Sequence, residues 1–281
     1  MKNKWKLYLG FILLISMLIL AACGSSEEAN SETNGEGSSG EAEKKLVLQV
    51  GTDAAFAPFE YMDKGEIVGF DVDLLAAVME EAGYEYELKN VGWDPLFASL
   101  QGKDLDIGVA GITINAERKQ TFDFSLPYFE STHMIVFNAG DDISSAKDLK
   151  ELKIGVQNGT TGQTAAEKVV GENADNMLKY ETTAVAFMAL ANGDVDAVVT
   201  DNVVANEYVK NNPDANVETI TDKENFEAEF YGWMFPKDSK IKADLDEALT
   251  AVIENGKYQE IYKEWFGVEA DTDALLEAAT D

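Results

Sequence analysis

Leu46-Val47-Leu48-Gln49-Val50-Gly51-Thr52-Asp53 is an apolar run that stops at a glycine and delivers a threonine and an aspartate into a loop. Such a run reads as a buried strand with polar groups at its carboxyl end. The next segments of the chain supply its partners. Asp71 to Ala82 places Val72, Leu75, Ala76 and Met79 on one helical face, and Tyr84 to Val91 alternates like a strand. A helix begun near Trp93 continues from Pro95 to Leu100, and Leu105 to Val109 is a further strand running into Gly111-Ile112-Thr113. This βαβα rhythm predicts an α/β fold with a mostly parallel sheet covered by helices on both faces.

A second cycle starts at Lys153-Ile154-Gly155-Val156-Gln157. Helices are predicted at Gly162 to Val170 and Ala184 to Asn192, a strand at Ala197 to Thr200, and a helix from Asp201 to Asn211 that Pro213 stops. A β-rich run, Phe230 to Phe235, precedes two final helices near Ile241 to Asn255 and Tyr258 to Trp265. Open α/β sheets bind ligands outside the carboxyl ends of their strands. Two such units facing each other make a cleft lined by strand-to-helix loops. Asp53, Phe56, Thr113, Arg118, Thr160, Thr161 and Asp201 all fall in those loops.

The N-terminal end sets the cellular address. Lys2, Lys4 and Lys6 precede an apolar stretch from Leu7 to Leu20, then Ala21-Ala22-Cys23. Residues 1–22 therefore read as a secretory signal, too short and wrongly flanked to be a membrane span. Leu20-Ala21-Ala22-Cys23 resembles a bacterial lipobox, which implies lipidation of Cys23, the only cysteine in the chain. With no second cysteine, a disulfide framework is excluded. Residues 23–45, rich in Gly, Ser, Glu and Asn, lack the apolar residues needed to offset ordering entropy and read as a flexible tether. The formal net charge of −30 argues against nucleic acid and against anionic lipid headgroups as partners of the protein surface.

Further pieces fall in order along the chain. Gly51-Thr52-Asp53, Phe56-Ala57-Pro58-Phe59-Glu60, Gly69-Phe70-Asp71-Val72-Asp73-Leu74, Gly111-Ile112-Thr113 and Glu117-Arg118 are followed by Asp123-Phe124-Ser125-Leu126-Pro127-Tyr128-Phe129. Gly159-Thr160-Thr161-Gly162, Val195-Asp196-Ala197-Val198 and Tyr262-Lys263-Glu264-Trp265-Phe266-Gly267 complete the set. Taken together, residues 46 to 267 resemble the polar amino-acid solute-binding proteins of ABC importers, and within them the arginine, lysine and histidine binders. The resemblance implies a two-lobed periplasmic-binding-protein type II fold with lobe 1 at 46–131 plus 230–281 and lobe 2 at 132–229. Two crossing strands, near His133 to Phe137 and Phe230 to Phe235, would form the hinge, and closure about it would capture the ligand. It further implies a monomer that hands a free L-amino acid to permease subunits in the membrane, with no cofactor.

A free amino acid brings a carboxylate, an ammonium and a side chain. Arg118 suits the carboxylate, since its planar fork donates two parallel hydrogen bonds. Thr161 adds a backbone N–H at a helix start, where the dipole favours an anion. Asp201, the Gly111 carbonyl and the Thr113 hydroxyl are the acceptors for the ammonium, although Asp201 also suits a helix N-cap. The resemblance places Asp53 and Asp71 at the distal end of the ligand, with Phe56 and Trp93 as aromatic faces along its stem and Gln157 near the distal group. Carboxylates and aromatic faces together favour a cation. Glutamine remains the competing ligand, because related glutamine binders keep an aspartate at the position of Asp53.

Against an enzyme stand a single histidine, His133, and the lack of a P-loop lysine and spacing around Gly108-Val109-Ala110-Gly111. Without a histidine cluster there is no zinc site and no histidine base of the usual kind. A carboxylate-based dehydratase on the same fold is the enzymatic alternative, and a ligand-presenting accessory to a chemoreceptor is another.

Overall fold

β1 (Val47–Thr52) is the centre from which the first sheet grows, as its apolar run requires. In the computed structural model, which describes residues 46–172 and 174–278, Leu48 and Val50 on β1 are buried. The expected signal and tether, and Cys23 with them, lie outside the described residues. After β1 the chain forms a small antiparallel sheet of β2 (Ala55–Phe56), β3 (Glu60–Asp63) and β4 (Glu66–Val68). It then enters α1 (Phe70–Ala82), whose Phe70, Leu74, Leu75, Val78 and Met79 form one buried stripe. Gly69, at φ 143°, is required here, because a Cβ would stand 1.9 Å from the Phe59 carbonyl oxygen. Phe70 N donates to Pro58 O and Asp71 N to Phe59 O, both over 2.9 Å. The start of α1 is thereby fastened to the Pro58–Glu60 segment.

β5 (Glu85–Asn90) pairs in parallel with β1, and α2 (Trp93–Gly102) leads to β6 (Ile107–Gly108) on the other side of β1. The strand expected at Leu105 to Val109 contracts to two residues. Its start is tied to β1 by the Asp106 side chain, which accepts the Gln49 N–H over 2.8 Å in place of a ladder bond. β7 (Phe122–Phe124) closes this sheet, ordered β5-β1-β6-β14-β7, where β14 is the later strand Met234–Pro236.

β8 (Phe129–Asn138) carries the chain into a second sheet. There follow β9 (Ile154–Gln157), α3 (Thr161–Val170), β10 (Met177–Tyr180), α4 (Thr183–Asn192), β11 (Ala197–Asp201), α5 (Asn202–Asn211) and β12 (Val217–Ile220). The second sheet runs β10-β9-β11-β8-β12, with β9, β10 and β11 parallel and β8 antiparallel to β11 and β12. Its core is Ile135, Phe137, Ile154, Val156, Val199 and Phe226 among others.

The single β-rich run expected at Phe230 to Phe235 is two strands. β13 (Ala228–Tyr231) pairs with the first half of β8, and β14 (Met234–Pro236) joins the first sheet beside β6 and β7. Between them Trp233 N donates to Ser125 Oγ over 2.8 Å, and Ser125 N to Trp233 O over 2.9 Å. β8 and β13 thus carry the chain from one sheet to the other, side by side and antiparallel. α6 (Lys242–Glu254) and α7 (Lys257–Phe266) pack against α1, and α8 (Thr272–Ala278) ends the described chain. Tyr258 Oη donates to Tyr128 O over 2.6 Å, which ties α7 to the start of β8.

Candidate functional site

The carboxyl ends of β1, β6, β9 and β11 converge on a small pocket between the two sheets. Asp53, Phe56, Trp93, Gly111, Thr113, Arg118, Gln157, Thr161 and Asp201 line it, nine of the ten residues expected from the sequence. Asp71 does not. It is fully buried one layer behind the wall, where its Oδ2 accepts Gly111 N over 3.0 Å and Tyr128 Oη over 2.7 Å. Direct contact between Asp71 and a ligand is therefore corrected: the docking of α1 on Phe59 turns that carboxylate beneath the surface. Glu60, from β3, lines the cavity instead and is only 1% exposed. Burial raises its pKa well above the ordinary range, and the neighbouring Asp71 pushes it further up. Asp71 itself is raised by burial to about 6, against the pull of the Gly111 N–H and the Tyr128 hydroxyl.

Arg118 follows a turn stabilised by its own backbone N–H, which donates to Asn115 Oδ1 over 2.8 Å. Its Nη1 donates to Thr113 O over 2.9 Å and its Nη2 to Gly159 O over 3.4 Å. The guanidinium carbon lies 5.3 Å from the ring centres of both Trp93 and Phe97. Burial lowers its pKa to about 10, opposed by Glu229 and Asp201, so it stays a cation at neutral pH. Trp93, expected along a ligand stem, thus also carries the arginine on its face, and its Nε1 donates to Gly159 O over 3.2 Å. Phe56 stacks on Phe59 with centroids 5.9 Å apart and backs Gly111, where a Cβ would meet the Phe56 ring at 3.0 Å.

Gln157, at the end of β9, is held at both ends. Its Oε1 accepts the Thr183 N–H over 3.1 Å and the Thr183 hydroxyl over 2.9 Å, so its Nε2 must face Asp53. That donation spans 2.8 Å. Burial raises the Asp53 pKa, and the bond from Gln157 opposes the rise. Thr160 caps α3 by accepting Gln163 N over 3.2 Å, and the start of that helix, Thr160 to Gly162, lines the cavity.

The N-cap reading of Asp201 fails for its side chain, which makes no capping bond. Its Oδ2 instead takes a short hydrogen bond from Tyr231 Oη, and its Oδ1 lies 3.6 Å from His133 Nε2. Burial raises its pKa, against the opposing effects of His133 and Tyr231. Thr113 Oγ1 donates to Glu229 Oε2 over 2.9 Å and stands 3.3 Å from Thr161 Oγ1. Glu229, His133 and Tyr231 form a polar network behind Asp201; the sequence pointed to none of them as part of the site.

Bonds between Gln157 and Asp53, Trp93 and Gly159, Arg118 and Gly159, and Thr113 and Thr161 all run from one sheet's loops to the other's. The cleft is closed. Its wall carries three carboxyl groups, from Asp53, Glu60 and Asp201, and one guanidinium. Among the described residues no group of three or more His, Cys, Asp or Glu could hold a metal ion.

Two α/β sheets joined by a pair of antiparallel strands, with a charged cavity enclosed between their loops, define a type II periplasmic-binding-protein fold. The chain belongs to the bacterial extracellular solute-binding proteins, family 3, whose sequence profile matches residues 48–268. It is 37% identical over 270 residues to a probable histidine-binding protein of Neisseria gonorrhoeae, covering 95% of this chain and 97% of that one. The arginine-binding extracellular protein ArtP of Bacillus subtilis is 33% identical over 267 residues, covering 94% and 98%. The crystal structure of the arginine-, lysine-, histidine-binding protein ArtJ from Geobacillus stearothermophilus superposes with a TM-score of 0.81. That protein is 61% identical, and the match covers 82% of this chain and 100% of that one.

Proposed function

We propose that this chain captures a free basic amino acid (arginine, lysine or histidine) outside the cytoplasm and delivers it to the permease of an ABC importer. The observation that carries this reading is the charge arrangement of the cavity wall, one guanidinium beside three carboxyl groups. A neutral amino acid balances one positive and one negative group, whereas a basic one brings a second cation that the surplus carboxylates can accept. The names of the three relatives described above, which speak of histidine, arginine or lysine, support the same choice.

The α-carboxylate goes to Arg118 and the N–H groups at the start of α3 near Thr161. The α-ammonium goes to Asp201, the Gly111 carbonyl and Thr113. The cationic side chain lies between Phe56 and Trp93 toward Asp53, Glu60 and Gln157, with Asp71 supporting Glu60 from behind. Residues 46–131 plus 230–281 and residues 132–229 move as two lobes about β8 and β13. The protein acts as a monomer, binds without turning its ligand over, and is anchored at the outer face of the membrane through lipid on Cys23.

A thermal-shift screen of the common amino acids against the full chain tests the reading. Arginine, lysine or histidine are expected to raise the melting temperature most. Stabilisation by glutamine or an acidic amino acid alone would contradict it.

A further inference from the structure

Three carboxyl oxygens beside the cavity, Glu60 Oε1, Glu60 Oε2 and Asp71 Oδ1, are buried and have no hydrogen-bond donor within the protein. Orphaned buried acceptors of this kind cost free energy, and two adjacent carboxylates add repulsion. Asp71 Oδ2 already has two donors, the Gly111 N–H and the Tyr128 hydroxyl. The pair therefore has two ways of being satisfied. A proton on Glu60 makes the missing donor and bonds it to Asp71. Alternatively, a cation inside the cavity reaches Glu60 directly.

We propose that these two states exchange during ligand capture: Glu60 holds a proton shared with Asp71 in the ligand-free protein and releases it to solvent when a basic side chain enters. The reading rests on the basic-amino-acid receptor proposed above and adds a proton to its binding equilibrium. The two segments lie close, since Asp71 N donates to Phe59 O over 2.9 Å and a Cβ on Gly69 would stand 1.9 Å from that same oxygen.

The groups facing the pair favour protonation. Asp53 from the loop after β1 and Asp201 from β11 are both like charges. The phenols of Tyr128, Tyr231 and Tyr258 stand near Asp71 or Asp201 and bring no positive charge. Arg118, the cation on the wall, is engaged with Thr113 O, Gly159 O and two aromatic rings. His133 and Glu229 face Asp201 and each other rather than Glu60. Burial and these like charges agree in raising Glu60 well above the ordinary carboxylate range.

Calorimetric titration of the full chain, in mild detergent at pH 7, tests the exchange with L-arginine in phosphate and in Tris, buffers of very different ionisation enthalpy. The measured enthalpy should differ between the buffers by the amount for release of close to one proton per arginine. Arginine affinity should rise with pH by at most about tenfold per unit, the slope of one proton. Glu60→Gln should still bind but show little buffer dependence. In Asp71→Asn the amide donates to Glu60 and keeps it ionised, so release should fall there too, which provides a second test if Glu60→Gln does not fold. Arginine binding with a buffer-independent enthalpy in the wild type would overturn the proton exchange and leave the receptor reading standing. Undiminished release in both variants would also overturn it. Failure of arginine, lysine and histidine to bind at all would overturn both readings.

Discussion

Gln157 Nε2 donates to Asp53 Oδ2 over 2.8 Å, a bond that joins the end of β9 to the loop leaving β1 across 104 residues of sequence. Each residue belongs to a different sheet, so the bond exists only while the cleft is closed. Gln157 cannot rotate away cheaply, because its Oε1 holds both the N–H and the hydroxyl of Thr183. A hydrogen bond to a charged group contributes about 1.5–3 kcal/mol. Gln157→Ala should weaken arginine binding roughly ten- to a hundredfold, and small-angle scattering should show less compaction at equal arginine concentration. An unchanged dissociation constant would mean that closure does not use this bond.

Arg118 is half-buried, with its guanidinium beside the rings of Trp93 and Phe97 and among the residues that line the cleft. Truncating one partner of a buried charge pair costs about 2–5 kcal/mol. Arg118→Ala should therefore bind far more weakly while its circular dichroism is retained. Arg118→Lys should recover only part of the loss, since an ammonium provides neither the fork nor the stacking. Full recovery by lysine would show that a point charge is enough at this position.

The acid–base behaviour of the Glu60–Asp71 pair has a definite sign. Both carboxyls are raised in the folded protein, so the folded state holds protons that the unfolded chain has given up. Their contribution is present below the ordinary carboxylate values of 4.5 and 3.8 and is lost as pH rises through the folded values, about 6 for Asp71. Asp222 acts in the opposite sense: burial is outweighed by bonds from Ala146, Ser145 and Asn225, and its folded value is about 2. Its contribution is lost only below its ordinary 3.8, outside this window. The melting temperature of the ligand-free protein should fall as pH rises from about 4.5 through about 6, and Glu60→Gln should flatten that fall. Parallel profiles for the two proteins would exclude the pair as its source.

The sheets and helices were legible because their signals are local: apolar runs for β1, β9 and β11, helical spacing for α1, a proline after α5. Most of the cavity wall was legible because strand ends and glycine turns mark loops in the sequence itself. Asp71 and Glu60 were not separable that way. Both sit in short motifs, and which carboxyl reaches the cavity is decided by how Phe70 and Asp71 dock onto Pro58 and Phe59. Glu229 bonds Thr113 from 116 residues away and has no periodic or motif signal of its own. His133 lies on β8 just before its apolar half, and its contacts with Thr161 and Asp201 depend on sheet pairing. The break at Gly232–Trp233 also escaped the sequence reading, because Phe230 to Phe235 is β-rich throughout while its two halves belong to different sheets.

Cys23 lies outside the described residues, so its role rests on Leu20-Ala21-Ala22 before it. The wild-type protein should fractionate with membranes and incorporate a labelled fatty acid. Cys23→Ala should be released or left unprocessed and should carry no label. Equal labelling of the two would remove the anchor from the account.

Ligand class is the central claim, and a competition titration between L-arginine and L-glutamine tests it most directly. Asp53 and Glu60, with Asp71 behind, should favour the cationic side chain over the neutral amide by at least tenfold, roughly 1.4 kcal/mol. Asp53→Asn should reduce that preference more than it reduces binding of glutamine. Displacement of bound arginine by glutamine at equal concentration would contradict the account.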